Sequence, residues 1–168
     1  MVNQKIKNAS KVVTEDITFK SKLEKSTYET LLSLGYNPQY EPTTFTLWPG
    51  FTPVTPFYDK ETETQKKKRD PKNKTFKQLV LKTSPVIGIR YTPDFYFKYN
   101  DLDVFIETKG IENDVHYIKK KLFRKYLDDI LESTGQKSIY FEVYTKKQLL
   151  QALEIIKEYD KKDLEVTT

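Results

Sequence analysis

Cysteine is absent from the 168 residues, and histidine occurs once, as His116. The first absence removes disulfides, thiolate zinc sites and cysteine nucleophiles. The second removes any centre that needs two imidazoles, including the usual histidine-metal nucleases. No apolar run approaches the roughly 18 residues of a membrane span, and the N-terminal residues lack the apolar segment of a signal peptide. A cytoplasmic protein with no membrane partner is expected. If the chain is a hydrolase, carboxylates and a hard, oxygen-preferring metal must carry its chemistry.

What is present is charge. Charged residues make up 32% and apolar residues 37%, a balance that fits one globular domain spanning residues 1–168. The net charge of +5 and a pI near 9.1 favour an anionic partner. Basic residues concentrate at Lys66, Lys67, Lys68 and Arg69, continue through Lys72, Lys74 and Lys77, and recur at Lys119, Lys120, Lys121, Arg124 and Lys125. Either run alone reads as solvated surface; two runs flanking one pair of carboxylates are harder to dismiss.

That pair lies in the stretch from Tyr91 to Gly110, which reads as two strands joined at Asn100 and Asp101. In a two-residue turn Tyr99 faces Leu102, so Lys98 faces Asp103, Tyr96 faces Phe105 and Asp94 faces Glu107. Period-two alternation then sends Asp94, Glu107 and Lys109 to one face and Phe95, Phe97, Tyr99, Leu102, Val104 and Ile106 to a core. Facing carboxylates repel. A bound cation would relieve that repulsion, and a neighbouring lysine is useful in chemistry on a phosphate. The bland alternative is a surface salt-bridge strand in which Lys109 pairs with Glu107 or Asp94.

Around the hairpin, Lys20 to Leu34 reads as a helix with Leu23, Thr27, Leu31 and Leu34 inward and Gly35 as its stop. Ser21-Lys22-Leu23-Glu24 matches a capping box, so spacing alone leaves Glu24 divided between a cap and a functional role. Pro38 to Leu47 is extended. Residues 48–75, rich in proline and then in charge, read as a long loop or insertion. Its Trp48, Phe51, Phe57 and Tyr58 suit either base stacking or pinning the loop to the body, with pinning favoured for Trp48. Short strands are expected at Phe76–Leu81 and Val86–Arg90. A helix follows from about Asn113 to Leu131, with Tyr117, Ile118, Leu122, Tyr126, Ile130 and Leu131 inward and most lysines outward. A strand at Ser138–Tyr144 leads to a last helix capped by Thr145, with Leu149, Leu150, Leu153 and Ile156 inside. The order predicts an α/β fold with a mixed sheet and helices against it.

Thr92-Pro93-Asp94 followed by Glu107-Thr108-Lys109 spells Pro-Asp and then Glu-x-Lys across a hairpin, and this resembles the PD-(D/E)xK nuclease superfamily. Together with Phe19-Lys20-Ser21-Lys22-Leu23-Glu24, Ile106 to Gly110 and Lys119-Lys120-Lys121-Leu122-Phe123, it is similar to small phage-encoded endonucleases near the Holliday-junction resolvases. The likeness covers roughly residues 16–144, least well at 48–75. It implies a restriction-endonuclease-like core and Mg2+, with Mn2+ able to substitute. Asp94, Glu107 and the Thr108 carbonyl would be metal ligands, Glu24 would complete the site, and Lys109 would act on water and phosphate. Lys119, Lys120, Lys121 and Arg124 would contact DNA, as would the basic run from Lys66 to Arg69 on its charge. For His116 a structural or solvent-facing role is favoured over general base work. The resemblance further implies a phage or mobile-element protein of DNA recombination, cutting branched DNA as a homodimer. A restriction- or transposase-like nuclease on linear duplex, and a non-catalytic DNA-binding module, are the alternatives.

Overall fold

The computed structural model of the chain describes residues 12–13, 17–72, 77–110 and 114–166. In order, its elements are β1 (Val12–Val13), β2 (Thr18–Phe19), α1 (Lys22–Ser33), β3 (Gln39–Tyr40), β4 (Phe45–Trp48), β5 (Tyr58–Lys60) and α2 (Glu63–Arg69). There follow β6 (Leu79–Leu81), β7 (Ile89–Tyr91), β8 (Phe95–Tyr99), β9 (Leu102–Thr108), α3 (Asp114–Thr134), β10 (Ser138–Val143) and α4 (Lys146–Val166). Two compact units emerge, one of Met1–Leu47 with Arg90–Thr168 and one of Trp48–Ile89.

The larger unit is a mixed α/β structure. Its four-stranded sheet runs β10-β9-β8-β3, with β10 parallel to β9 and the other pairs antiparallel. The β8–β9 register is the expected one, from Phe95 against Ile106 to Tyr99 against Leu102. Asn100 turns the hairpin at φ +51°, a left-handed conformation that asparagine tolerates better than most residues.

Strand β9 is covered on both faces. Phe95, Phe97, Leu102, Val104 and Ile106 pack with Phe19, Leu31, Leu149, Leu153 and Ile156 from β2, α1 and α4. The opposite face is aromatic: Tyr91, Phe105 and Phe123 are buried, with Phe45, Tyr96, Tyr126 and Tyr140 against them. That second core was not expected on the carboxylate face. It makes a dry floor below Asp94 and Glu107.

Three helices differ in part from expectation. Leu34 is exposed because it is the C-cap of α1, beyond the last helical turn; Thr27 and Leu31 are buried as expected, and Glu24 and Thr30 join them. In α4, Leu150 is outward, about 100° from the buried row Leu149, Leu153 and Ile156. In α3, Tyr117, Ile118 and Leu131 face solvent; His116 and Phe123 are buried, and Lys119 and Lys120 are half-buried. The spacing 116, 119/120, 123, 127 is still a helical row, but its first turn is polar because it leaves the core and enters a cleft.

The Trp48–Ile89 unit is more structured than a loop. Strands β5 and β6 pair antiparallel, and Thr62 and Gln65 close a full capping box at the start of α2. Glu61, only 2% exposed, accepts from Arg69 Nη2 at 2.7 Å, Arg69 Nε at 3.1 Å and the Gln78 amide at 3.1 Å. Gly50 and Gly88 approach so closely that a Cβ on Gly88 would lie 2.7 Å from the Trp48 carbonyl oxygen, and one on Gly50 would lie 2.6 Å from that of Val86. Only glycine fits at either position. Trp48 packs edge-on against Phe51, with ring centroids 5.3 Å apart. The expected strand start at Phe76, like most of the N-terminal segment, lies outside the described residues.

Candidate functional site

A cleft of about 840 Å³ opens at the end of the hairpin in the larger unit, lined by Glu24, Asp94, Glu107, Thr108, Lys109, His116 and Lys119, and also by Lys20, Glu41 and Arg90. Each side chain arrives there for a local reason. The hairpin register sets Asp94 opposite Glu107, and the Asp94 amide donates to Glu107 Oε2 at 3.3 Å. Asp94 Oδ2 accepts from both the amide and the hydroxyl of Thr108, each at 2.7 Å. The other Asp94 oxygen has no hydrogen-bond partner among the described residues.

Glu107 is 3% exposed and fully engaged. Tyr91 donates to its Oε2 at 2.7 Å, Lys109 pairs with its Oε1, and His116 Nδ1 lies 3.9 Å from that same oxygen. Burial pushes Asp94 up to about 7, and the Glu107 charge pushes in the same direction, with Glu24 a smaller contributor; the Thr108 bonds oppose the shift without cancelling it. A carboxylate so reluctant to ionise is one that a cation would hold in its charged form.

Glu24 is 7% exposed, and its backbone amide donates to the Ser21 hydroxyl as a cap predicts. Its carboxylate completes no capping box. Oε2 takes the Lys20 amide at 2.9 Å and the Tyr40 hydroxyl at 2.5 Å. Glu24 is therefore both tied to the helix entry and turned to the cleft wall.

The basic residues divide. Lys119 lines the cleft, while Lys120 donates to Glu142 Oε2 at 2.6 Å. Lys121 is exposed, with Nζ 4.2 Å from the Tyr117 ring centroid, and Arg124 is exposed. Of the four from Lys66 to Arg69, Lys66 is buried and Arg69 clamps Glu61; Lys67 and Lys68 are on the surface. These four belong to the other compact unit.

Sequence reasoning passed over Glu142, Tyr91, Tyr140, Lys20 and Glu41. Glu142 sits beside Glu107 in the parallel register, so Asp94, Glu107 and Glu142 form a row across three strands. A chain of polar contacts runs along that row: Tyr91 donates to Glu107, and the single Tyr140 proton is shared between the Tyr91 oxygen at 3.0 Å and Glu142 at 3.3 Å. His116 Nε2 lies 2.6 Å from Glu142 Oε1. Burial opposes ionisation of Glu142, but Lys120 and His116 outweigh it and hold the carboxyl below its ordinary value. Burial and the nearby acids drive both tyrosines upward, so they stay neutral donors. Lys20 pairs with Glu41, whose backbone is held at φ +45° and donates to the Asp94 carbonyl at 2.8 Å. The alternation of β10 carried a signal for Glu142, but only its pairing with β9 gives that signal meaning.

Among the described residues no three His, Asp or Glu side chains form a ready-made metal cage, and no helix is long and apolar enough to cross a membrane. A family described as "Protein of unknown function (DUF1064)" matches residues 4–143. No curated protein and no solved structure matches.

Proposed function

The chain belongs to the DUF1064 family, and we propose that this member is a metal-dependent DNA endonuclease with a restriction-endonuclease-like core. One observation carries the reading. Two adjacent carboxylates, Asp94 and Glu107, share the end of a hairpin with Lys109, over a dry aromatic floor and inside an open cleft.

The donor set fits Mg2+, which takes one or two carboxylates and completes its shell with waters and phosphate oxygens, so a preformed cage of three acids is not required. Asp94 and Glu107 would hold the ion, with the Thr108 carbonyl beside them and Glu24 adjusting the charge at the wall. When bound, Mg2+ offsets phosphate charge and makes water more acidic. The chain's own groups do the rest. Thr108 fixes one Asp94 oxygen and leaves the other without a hydrogen bond among the described residues. Tyr91 and the Asp94 amide fix Glu107. Lys109, exchanging its Glu107 contact for a phosphate oxygen, stabilises the negative charge that builds in the transition state. Lys119 and Arg90, which line the cleft, would meet flanking phosphates.

The preference for branched DNA follows from the likeness to junction-cutting enzymes, and paired nicking at a junction calls for a two-fold dimer acting inside the cell. The test is a panel of four-way junction, flap and linear duplex of shared sequence, incubated with Mg2+, Mn2+ or EDTA. Junction cutting that needs metal is the expected result; equal cutting of linear duplex points to a restriction-like enzyme. A non-catalytic DNA-binding module is favoured by one feature, the complete satisfaction of Glu107 by protein groups. Salt-sensitive binding with no cutting of any DNA in either metal is the outcome that reading predicts.

A further inference from the structure

Residues 48–89 hold nine Lys and Arg against four Asp and Glu. All five of the chain's net positive charges therefore lie in a quarter of its length, and the remainder is balanced. The β5–β6 ribbon of this unit is inverted in polarity. Tyr58 pairs with Leu81 and Lys60 with Leu79, which puts these four side chains on one face. That face is open: Leu79 is 69% exposed, Tyr58 59% and Leu81 48%, while Val80 on the other face is half-buried. An antiparallel ribbon ordinarily buries its apolar side and wets its polar side. Phe57, next to it in the chain, is also 59% exposed. Lys60, Lys67 and Lys68 are exposed, and Lys67 acts on Glu63 through its charge.

We propose that this ribbon binds unpaired bases of a DNA strand, Tyr58, Leu79 and Leu81 contacting base faces while the lysines of the unit meet phosphates. The identification of the polyanion as DNA rests on the nuclease reading above. The reasoning is one of complementarity. A duplex offers charge but hides its base faces, so it would use the lysines and leave the apolar side chains wet. A second copy of the chain would bring a like-charged unit against this one. A strand with unstacked bases supplies negative charge and flat apolar surface together.

The test uses the full chain in EDTA, where nothing is cut, and measures fluorescence anisotropy with a labelled single strand and with blunt duplex of the same sequence. The single strand should bind roughly tenfold more tightly or better. Tyr58→Ala should weaken single-strand binding about 5- to 150-fold, the range for one lost stacked base, and leave duplex binding within twofold. Leu79→Ser, at a more exposed position, serves as a second variant, and an unchanged melting temperature shows that either is folded. Lys67→Gln with Lys68→Gln should weaken both DNAs and flatten the salt dependence by about 0.7 per lost contact on the single strand.

Equal affinity for the two DNAs with no effect of Tyr58→Ala overturns the proposal, as does a Tyr58→Ala defect confined to self-association in sedimentation. The two readings fail separately. If Asp94→Asn stops cutting while Tyr58→Ala binds single strands like the parent, the ribbon proposal falls and the nuclease stands. If no DNA is cut while Tyr58→Ala alone weakens single-strand binding, the nuclease falls and the ribbon stands.

Discussion

In the cleft, Glu107 meets Lys109, Tyr91 and the Asp94 amide; on the β5–β6 ribbon, Tyr58, Leu79 and Leu81 meet solvent. The larger unit balances its charges and packs them over an aromatic core. The 48–89 unit carries the whole excess of positive charge and folds around a buried carboxylate, Glu61, which the exposed Arg69 clamps from the surface. The difference separates two tasks. A site that acts on a bond needs groups fixed by their neighbours, because a carboxylate or lysine that wanders loses its geometry. A surface that grips a flexible polyanion needs exposed contacts and long cationic side chains.

The sharpest way to break that separation is Asp94→Asn. Cutting in Mg2+ should fall by about 10²- to 10³-fold, the scale of removing a preorganised electrostatic group, while single-strand binding in EDTA stays within twofold. A variant that loses both would join what the comparison divides. Next comes Phe123→Ala. Phe123 is fully buried against Tyr91, Phe105 and Tyr140, and truncation should cost about 3–5 kcal/mol in denaturant melts. Tyr58→Ala on the ribbon should stay within about 0.5 kcal/mol. Tyr91→Phe sharpens the cleft side. It keeps the ring but removes the donor to Glu107, costing about 1–3 kcal/mol. The Mg2+ concentration for half-maximal cutting should rise about tenfold, as when a group that orients a ligand is lost. An unchanged metal requirement would mean that Tyr91 only supports the fold.

How far the sequence carried depended on the range of the interactions involved. The hairpin was fully legible, because a two-residue turn and period-two alternation are local rules that set Asp94 against Glu107. The phase of α3 was not. Apolarity favoured Tyr117 and Ile118 as inward residues, whereas His116 and Lys120 are inward because Glu142 on β10 receives them. No helical pattern contains that partner. Glu142 itself looked like an ordinary outward strand residue until the parallel pairing put it beside Glu107. The 48–89 unit was under-read for the opposite reason. Thr62 and Gln65 announced a helix start, but prolines and lysines masked it, and the Gly50–Gly88 approach joins residues too far apart for any local rule.

The response most specific to the comparison is to pH, which should act on the two regions with opposite signs. Asp94 ionises at about 7 in the folded chain without metal, against roughly 3.9 when unfolded. The folded state therefore holds the proton more tightly, and its contribution to stability is present below pH ~4 and lost as pH rises through 7. Glu61 behaves in reverse. Arg69 holds it below its ordinary value, with burial opposing and the Gln78 amide assisting, so its contribution is present above roughly pH 4.3 and lost as pH falls through the depressed value. Amide hydrogen exchange in EDTA, followed from about pH 3.5 to 7.5 after correction for the intrinsic rate, should show protection around β8 and β9 declining with pH and protection in β5, α2 and β6 rising over the acid end. Asp94→Asn should flatten the first trend alone and Glu61→Gln the second alone. Mg2+ should also flatten the first, because it takes the place of the proton on Asp94. Parallel trends in the two regions, or an Asp94→Asn variant that keeps the full decline, would show that charge in the cleft is not managed as the hydrogen bonds of Asp94 and Glu107 imply.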